Sequence, residues 1–148
     1  MNSENYTQKL DQVHPLSAGL KAYITTIAQR VDYNKGQKFL IHEKELLYFP
    51  LLEMGQANYF AVDNVAEKEF RIGSCHAGDF LPQSARKGGD SRYEIQIEFF
   101  DDSSIVGITE KHYSNLMRVF LDAHILNHRF TSLHVEKLVG LFFKNNYR

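Results

Sequence analysis

Residues 93–99 read YEIQIEF, and this stretch decides the fold. Large apolar side chains occupy every second position, with glutamate or glutamine between them. Successive side chains of a strand point to opposite faces, so the pattern predicts a half-buried antiparallel strand with Tyr93, Ile95, Ile97 and Phe99 facing the core. The turn-forming residues DDSS at 101–104 then lead into IVGI at 105–108, which we interpret as the next strand.

The same composition extends outward from this strand, over residues 31 to 109. Short runs rich in Val, Ile, Phe and Tyr are separated by turn signals such as NKG at 34–36, GD at 78–79 and GGD at 88–90. No helical pattern long enough to connect parallel strands lies in this zone. We therefore predict an α+β fold built on a β jelly-roll (double-stranded β-helix) barrel over residues 31–109.

Helical periodicity flanks the barrel zone on both sides. Apolar residues recur at three- and four-residue spacing from Leu16 to Ile27, which predicts a helix over 16–30 after an N-terminal leader, 1–15. From residue 110 to 143 a second pattern predicts C-terminal helices, with a bend near Leu121. Its apolar stripe comprises Leu116, Val119, Phe120, Ala123, Leu126, Phe130, Leu133, Leu138, Leu141 and Phe142. Residues 16–148 thus form a single domain, and the long helix either packs back on the barrel or pairs with its twin.

Composition and charge exclude several classes of protein. The 148 residues carry 17 Lys and Arg against 18 Asp and Glu, a net charge of −1. Such a chain lacks the positive field that drives phosphate-backbone binding, so we expect no direct nucleic-acid binding. The single cysteine, Cys75, excludes an internal disulfide, and we find neither a signal peptide nor a membrane-spanning stretch. We therefore expect a cytoplasmic protein without membrane contact.

Five segments follow one another in an order typical of one family. They are the helix entry at 16–23, the Lys35-Gly36 turn, the strand 47–49 followed by Gly55, the triplet GDF at 78–80, and the strand 105–109 before the long helix. In this order they resemble the cyclic nucleotide-binding-like sensor domain of the Crp/Fnr transcription regulators, over roughly 16–141. The resemblance implies a non-enzymatic signalling domain that forms a homodimer through its C-terminal helix and needs no cofactor. It also implies that the family's helix-turn-helix DNA-binding domain is missing from these 148 residues.

The resemblance also implies a ligand site. Asp79 stands where the family's phosphate-binding cassette has the acid that binds the ribose hydroxyl. Arg92 is the nearest counterpart of the arginine that pairs with the cyclic phosphate. Thr131 and Ser132 on the long helix lie where receptors of this fold can contact a bound base. These four residues are the candidate ligand-binding residues, for a cyclic nucleotide or another small molecule.

Other features of the sequence weaken that site. Leu81 and Glu94 stand where the family has small residues, so they add bulk and a negative charge beside the expected phosphate. If Ile95 faces the core, Arg92 faces outward as a surface residue, and a Gly-Asp pair is common in simple turns. The loop RKGG at 86–89 could hold an anion on its backbone amides, although such loops are commonly exposed hairpin tips. We expect weak or no cyclic-nucleotide binding.

Two further classes of protein remain as alternatives. A cupin-like metal enzyme needs a His-x-His pair, a Glu and a later His, whereas the barrel zone offers only His42 and His76. His124 and His128 share a helix face but lack a third ligand, so we predict no metal site. We interpret Cys75 as a core residue, because its neighbour His76 points to the opposite face of a strand. The second alternative is a structural protein-interaction domain, and no catalytic residue is predicted.

Overall fold

The computed structural model describes residues 2–41, 46–83 and 92–146, of which residues 138, 139 and 141–146 are described by their backbone alone. Among these residues, four helices flank seven strands. The helices are α1 (Ser3–Val13), α2 (Ala18–Ile27), α3 (Glu110–Val119) and α4 (Leu121–Asn146). The strands are β1 (Gln29–Tyr33), β2 (Lys38–Leu40), β3 (Tyr48–Met54), β4 (Gln56–Asp63), β5 (Lys68–His76), β6 (Tyr93–Phe99) and β7 (Ser103–Ile108). This arrangement confirms the predicted α+β class.

The described strands form two antiparallel sheets. Sheet A has the order β1-β7-β3, and sheet B has the order β2-β6-β4-β5. β6, the alternating strand YEIQIEF, pairs with β4 along its whole length, from Tyr93 opposite Asp63 to Phe99 opposite Ala57. Strands distant in sequence thus become neighbours in both sheets, as in a jelly roll and not in a meander. The predicted β jelly-roll is confirmed.

Side chains from the two sheets pack against each other inside the roll. Ile97 and Phe99 of β6 are buried as predicted, and Phe99 stacks on Tyr33 of β1 with 4.7 Å between ring centroids. Cys75 belongs to the same cluster, so its prediction as a core residue is confirmed. Tyr93 departs from the predicted pattern, since 60% of it is exposed. Alternation along a strand determines only which face of the sheet a side chain is on. Burial also requires other residues to pack over that side chain, and Tyr93 is at the end of its strand, as the first residue of β6.

A second core lies between sheet A and the helices. Val106 and Ile108 of β7 face this core, while Ile105 faces the interior of the roll, as alternation requires. Phe49 of β3 and Phe130 of α4 are fully buried here, with their ring centroids 5.1 Å apart. Docking of the helices on sheet A therefore fixes α4 beside the roll.

α1 lies within the segment predicted as a leader. The side chain of Asn2 caps this helix by accepting a hydrogen bond from the backbone N–H of Asn5 at 3.0 Å. Tyr6 and Leu10, four residues apart on one face, are fully buried, and the Tyr6 hydroxyl donates to the Phe49 carbonyl at 2.8 Å. Residues 1–15 are thus more than a leader, because α1 within them contributes to the second core.

α2 is shorter than the helix predicted over 16–30. It begins after the N-cap residue Ser17, whose side chain accepts from the N–H of Leu20, and it ends at Ile27. The residues from Gln29 onward form β1 and pair with β7. The predicted end was wrong because apolar spacing alone does not show where a helix gives way to a strand.

The predicted bend near Leu121 separates α3 from α4. Four members of the predicted apolar stripe are fully buried against the chain's own core, namely Leu116 on α3 and Ala123, Leu126 and Phe130 on α4. This central part of the stripe therefore packs back on the domain, the first of the two options left open by the sequence. Stripe members beyond residue 137 lie outside the described side chains. Among the described residues, no helix is both long and apolar enough to cross a membrane.

Candidate functional site

Residues 78–81, the segment that follows β5, run along β3 and are held there by their backbone. We call them the cassette segment. The N–H of Gly78 donates to the Leu52 carbonyl at 2.7 Å, the N–H of Leu52 donates to the Asp79 carbonyl at 2.9 Å, and the N–H of Leu81 donates to the Pro50 carbonyl at 2.8 Å. Gly78 has a φ of +97°, a conformation that favours glycine. The segment thus lies antiparallel along the edge of β3, with an isolated bridge between Phe80 and Leu51.

Asp79 uses its carboxylate within this turn. Its Oδ2 accepts a hydrogen bond from the backbone N–H of His76 at 2.9 Å, which closes the turn after β5. Leu81, expected to crowd a phosphate site, is instead buried in the roll at 1% exposure. Both residues therefore have structural partners inside the domain.

Arg92 lies at the other end of sheet B from Asp79. His76, next to the Asp79 turn, pairs with Gln56 at the start of β4, whereas Tyr93, next to Arg92, pairs with Asp63 at the end of β4. The two ends of β4 are about 23 Å apart at the usual rise per residue of a strand. The structure does not bring these two candidate ligand residues together.

Arg92 forms an ion pair with Asp63 instead. Its Nε and Nη2 donate to the two carboxylate oxygens of Asp63, each at 3.0 Å, in a bidentate geometry. Hydrogen bonds from Arg92 and from the N–H groups of Ala66 and Val65 lower the pKa of Asp63 to about 2. Asp63 was not predicted as a functional residue, because turn composition at 63–64 is its only signal in the sequence.

Thr131 and Ser132 are half-buried on α4. Ser132 is two residues beyond the buried Phe130, which places it about 200° around the helix and away from the roll. It lines a cleft of about 360 Å³ between the end of α1 and α4. The lining residues are Val13, His128, Arg129, Ser132, Leu133 and Glu136. Ser132 and Asp79 therefore belong to different surfaces of the domain.

The Phe80 carbonyl is the point where α4, β4 and β5 meet the cassette segment. It accepts from the Tyr59 hydroxyl at 3.4 Å, and Nε2 of His134 lies 3.3 Å away. The Cys75 thiol lies 3.9 Å from the same oxygen and 3.8 Å from the Asp79 carbonyl oxygen. The Lys137 ammonium lies 6.0 Å from the centroid of the Tyr59 ring, within range of a cation–π contact. We call Phe80, Tyr59, Cys75, His134 and Lys137 the α4 junction. No pattern in the sequence predicted it.

Burial governs the protonation of the α4 junction. It raises the pKa of the Cys75 thiol to about 11 and also raises the pKa of Tyr59, so both groups are neutral near pH 7. It lowers the pKa of His134, with a smaller contribution from the charge of Lys137, while hydrogen bonding to Phe130 and Phe80 opposes the shift. The α4 junction therefore favours a neutral imidazole.

A second polar network joins α4 to the residues after the cassette segment. Oδ1 of Asn127 accepts from the Tyr113 hydroxyl at 2.9 Å and from Nε2 of Gln83 at 3.2 Å. Oε1 of Gln83 in turn accepts from the N–H of Phe49 at 2.6 Å. Phe49 has a φ of +48°, an uncommon conformation for a bulky residue, at a register shift in β3. Hydrogen bonds thus link α4 to Gln83, two residues after the cassette segment, and through Gln83 to the irregular point of β3.

No metal site is visible in the described part of the chain. No group of three or more His, Cys, Asp or Glu residues there is arranged to hold an ion. His124 and His128 are both exposed on α4, consistent with a solvated face. His42, needed for the cupin alternative, lies outside the described residues, as does the 86–89 loop considered for anion binding.

Comparison with known proteins connects this geometry to a known fold. Neither protein-family models nor curated proteins match the sequence. A Crp/Fnr-family transcriptional regulator from Eubacterium rectale is 14% identical, with a TM-score of 0.65 over 90% of this chain and 62% of its own. A cyclic nucleotide-binding domain from Methylobacillus flagellatus is 12% identical, with a TM-score of 0.63 over 98% and 82%. A CooA variant from Carboxydothermus hydrogenoformans is 14% identical, with a TM-score of 0.57 over 92% and 85%.

These structures share the fold seen here. The chain spans 62% of the length of the Eubacterium rectale regulator, so the likeness extends over only part of that protein. At 12 to 14% identity the likeness concerns the path of the chain and not the side chains of a site. The expected resemblance is confirmed at the level of the fold: the chain has the cyclic nucleotide-binding β-roll of the Crp/Fnr regulators.

Proposed function

We propose that this chain is a non-enzymatic regulatory domain of a cytoplasmic signalling protein, in which the cassette segment and α4 are coupled but cyclic nucleotides bind weakly or not at all. The observation that carries this proposal is that Asp79 and Arg92, the two residues expected to bind the ribose and the phosphate, are both engaged by other groups of the domain. The Asp79 carboxylate closes a turn on His76, and Arg92 is paired with Asp63 at the opposite end of sheet B. A cyclic phosphate would have to displace the bidentate carboxylate of Asp63 to reach Arg92.

Leu81 and Cys75 add to the argument. The side chain of Leu81, the last residue of the cassette segment, fills the roll, so a ligand that entered there would have to displace a buried leucine. The raised pKa of Cys75 leaves little thiolate for nucleophilic chemistry, which favours a non-enzymatic role. Thr131 and Ser132 remain proposed ligand contacts, with Ser132 serving the cleft beside α1.

Calorimetry with cyclic AMP and cyclic GMP tests the proposal. We expect no saturable heat at micromolar protein concentration for the wild-type chain or for Arg92→Ala. A submicromolar dissociation constant for either nucleotide would overturn it. Loss of that binding in Arg92→Ala would further show that Arg92 leaves Asp63 to bind phosphate.

We also propose that the domain forms a homodimer through α4. The face of α4 turned away from the core carries five residues at alternating four- and three-residue spacing, which we call the seam: Leu121, Ile125, His128, Ser132 and Val135. His128 and Ser132 also line the cleft beside α1, so the dimer would place that cleft next to the second copy. Leu121, Ile125 and Val135 are exposed by 81%, 42% and 54%. This spacing is the one that pairs helices in a coiled coil, and the seam lies opposite the buried face of α4, so a second copy can cover it.

Sedimentation at micromolar concentration tests the dimer. We expect a species of twice the 17.2 kDa chain mass, and we expect Ile125→Glu to convert it to the monomer without unfolding it. Arg129→Glu, at an exposed polar position of the same helix, is the matched control. A wild-type chain that sediments only at 17.2 kDa would contradict the proposed dimer.

A further inference from the structure

β5 is an outer strand of sheet B, and the first part of it is exposed. In the strand order β2-β6-β4-β5, β4 pairs with one edge of β5, and none of the described strands pairs with the other. Lys68, Glu69, Phe70 and Arg71 are all exposed, whereas residues 72–75 are buried or half-buried. We call residues 68–71 the β5 edge. Such an edge presents backbone N–H and C=O groups that can pair with a further strand.

We propose that the β5 edge pairs antiparallel with the β5 edge of a second copy of this chain, about a two-fold axis at Phe70. The contact joins the two copies of sheet B edge to edge. Each copy contributes the same surface, so the contact is isologous. The inference goes beyond the proposed regulatory role, and it uses a surface other than the seam on α4.

The order of charges along the β5 edge selects this register. With the axis at Phe70, Glu69 of each copy lies opposite Arg71 of the other, which gives two pairs of opposite charge. An axis between Glu69 and Phe70 would set Lys68 opposite Arg71, and an axis at Glu69 would set its carboxylate opposite its own copy. Like charges directly opposite are destabilising. Neither Glu69 nor Arg71 forms an ion pair within the described part of the chain, so both are available to a second copy.

The side chain of Phe70 favours the same axis. It is 56% exposed, although phenylalanine is ordinarily among the most buried residues. Phe70 lies opposite Ala61 of β4, which packs against the core of the roll, so both are on the inner face of sheet B. On the axis the two Phe70 rings lie directly opposite each other, within reach of an aromatic cross-strand pair. The contact therefore removes exposed aromatic surface from water on both copies.

The irregularity in β5 limits the length of the contact. Residues 68–71 form a regular ladder with residues 60–63 of β4, and the register shifts just beyond Arg71. The contact thus has about four residues on each copy, so we expect a weak, concentration-dependent association. Charged side chains on a strand edge disfavour pairing with other strands. The charges of the β5 edge match only in the proposed register, which favours a second copy over an unrelated strand.

Disulfide cross-linking tests the axis, because a residue on a two-fold axis meets its own copy. Directly opposite Cα atoms of an antiparallel pair are about 4.5 to 5.5 Å apart, a distance that a disulfide spans. Phe70→Cys should therefore be oxidised to a species of twice the 17.2 kDa chain mass. Val65→Cys, at a 71% exposed position in the neighbouring turn, is the matched control for random collision. All variants carry Ile125→Glu to remove the seam contact, and Cys75 is buried in each of them.

We expect Phe70→Cys to cross-link several-fold faster than Val65→Cys. We also expect Glu69→Cys mixed with Arg71→Cys to cross-link several-fold faster than either variant alone, because these two positions face each other across the axis. Equal rates for Phe70→Cys and Val65→Cys overturn the proposal. Glu69→Cys that cross-links with itself as fast as Phe70→Cys overturns it as well, because the axis would then lie elsewhere.

Charge reversal tests the register without an added cysteine. In sedimentation over a series of concentrations, the average mass of the Ile125→Glu chain should rise with concentration. Glu69→Arg should abolish this rise, and Glu69→Arg combined with Arg71→Glu should restore it, because the swap exchanges the two charges of each pair. A rise that persists in Glu69→Arg, or one that stays lost in the charge swap, overturns the proposal. Because the seam is disabled and no nucleotide is present, these results are independent of the tests of the proposed function.

Discussion

Replacement of Phe130 by leucine tests which face of α4 belongs to the chain's own core. The Phe130 ring is fully buried and meets Phe49 and Phe80 edge-to-face, with both centroid distances 5.1 Å and interplanar angles of 74° and 79°. Leucine keeps most of the apolar bulk but removes both ring contacts. Each such contact contributes about 0.5 to 1.5 kcal/mol beyond area burial, so we expect Phe130→Leu to lower the free energy of unfolding by about 1 to 3 kcal/mol.

Urea unfolding followed by far-UV circular dichroism measures this loss, since the chain has no tryptophan. With a denaturant slope of about 2 kcal/mol per molar urea, the midpoint should fall by about 0.5 to 1.5 M. Ile125→Ala, on the opposite face of the same helix, is the matched control and should change stability by less than about 0.5 kcal/mol at protein concentrations low enough to dissociate a dimer.

The opposite result for the two variants would contradict this assignment of the faces of α4. A neutral Phe130→Leu together with a costly Ile125→Ala in dilute solution would mean that α4 packs on the domain through the seam. The buried positions Ala123 and Leu126 would then be misplaced as well, because they share the face of Phe130.

Two more substitutions test local features of the roll. Gly55→Ala should melt at a lower temperature than Gly36→Ala. Both glycines have a positive φ, so both substitutions carry backbone strain. A Cβ at Gly55 would in addition lie 2.7 Å from Cβ and 2.8 Å from Cα of Ser103, whereas nothing lies within 4 Å of a Cβ at Gly36. Equal melting temperatures would contradict the close approach. The lowered pKa of Asp63, about 2, means that its pairing with Arg92 stabilises the fold above the ordinary aspartate range and is lost as pH falls towards 2. Between about pH 4 and 2 the wild type should therefore lose the stabilisation that this ion pair provides, whereas Asp63→Asn lacks that stabilisation at every pH. Acid-unfolding curves of the wild type and the variant that run parallel would contradict this.

The roll was predictable because its signal is local. Alternation in β6 identified the buried residues Ile97 and Phe99, and turn composition marked the ends of several strands. The stripe that contains Phe130 was also visible in the sequence. Periodicity shows that a helix face is apolar but not what covers it, so the choice between self-packing and pairing needed the structure.

The candidate site was less predictable because it is made by contacts between distant residues. Arg92 pairs with Asp63, 29 positions away, and His134 reaches Phe80 across 54 positions. Neither pair leaves a periodic mark in the sequence. The resemblance identified Asp79 and Arg92 one at a time and gave no distance between them. That distance depends on the strand register, which follows from the pairing of β4 with β5 and β6.

The three backbone hydrogen bonds between the cassette segment and β3 cover part of an outer edge of sheet A. β3 is an outer strand of sheet A, and its free N–H and C=O groups, next to buried residues such as Leu51 and Leu52, would otherwise offer a template for strands of other molecules. Gly78 and Leu81 occupy that edge from within the same chain. An outer strand that is already paired in this way at residues 50–52 is not available to a strand of another molecule, so aggregation through this part of the edge is disfavoured.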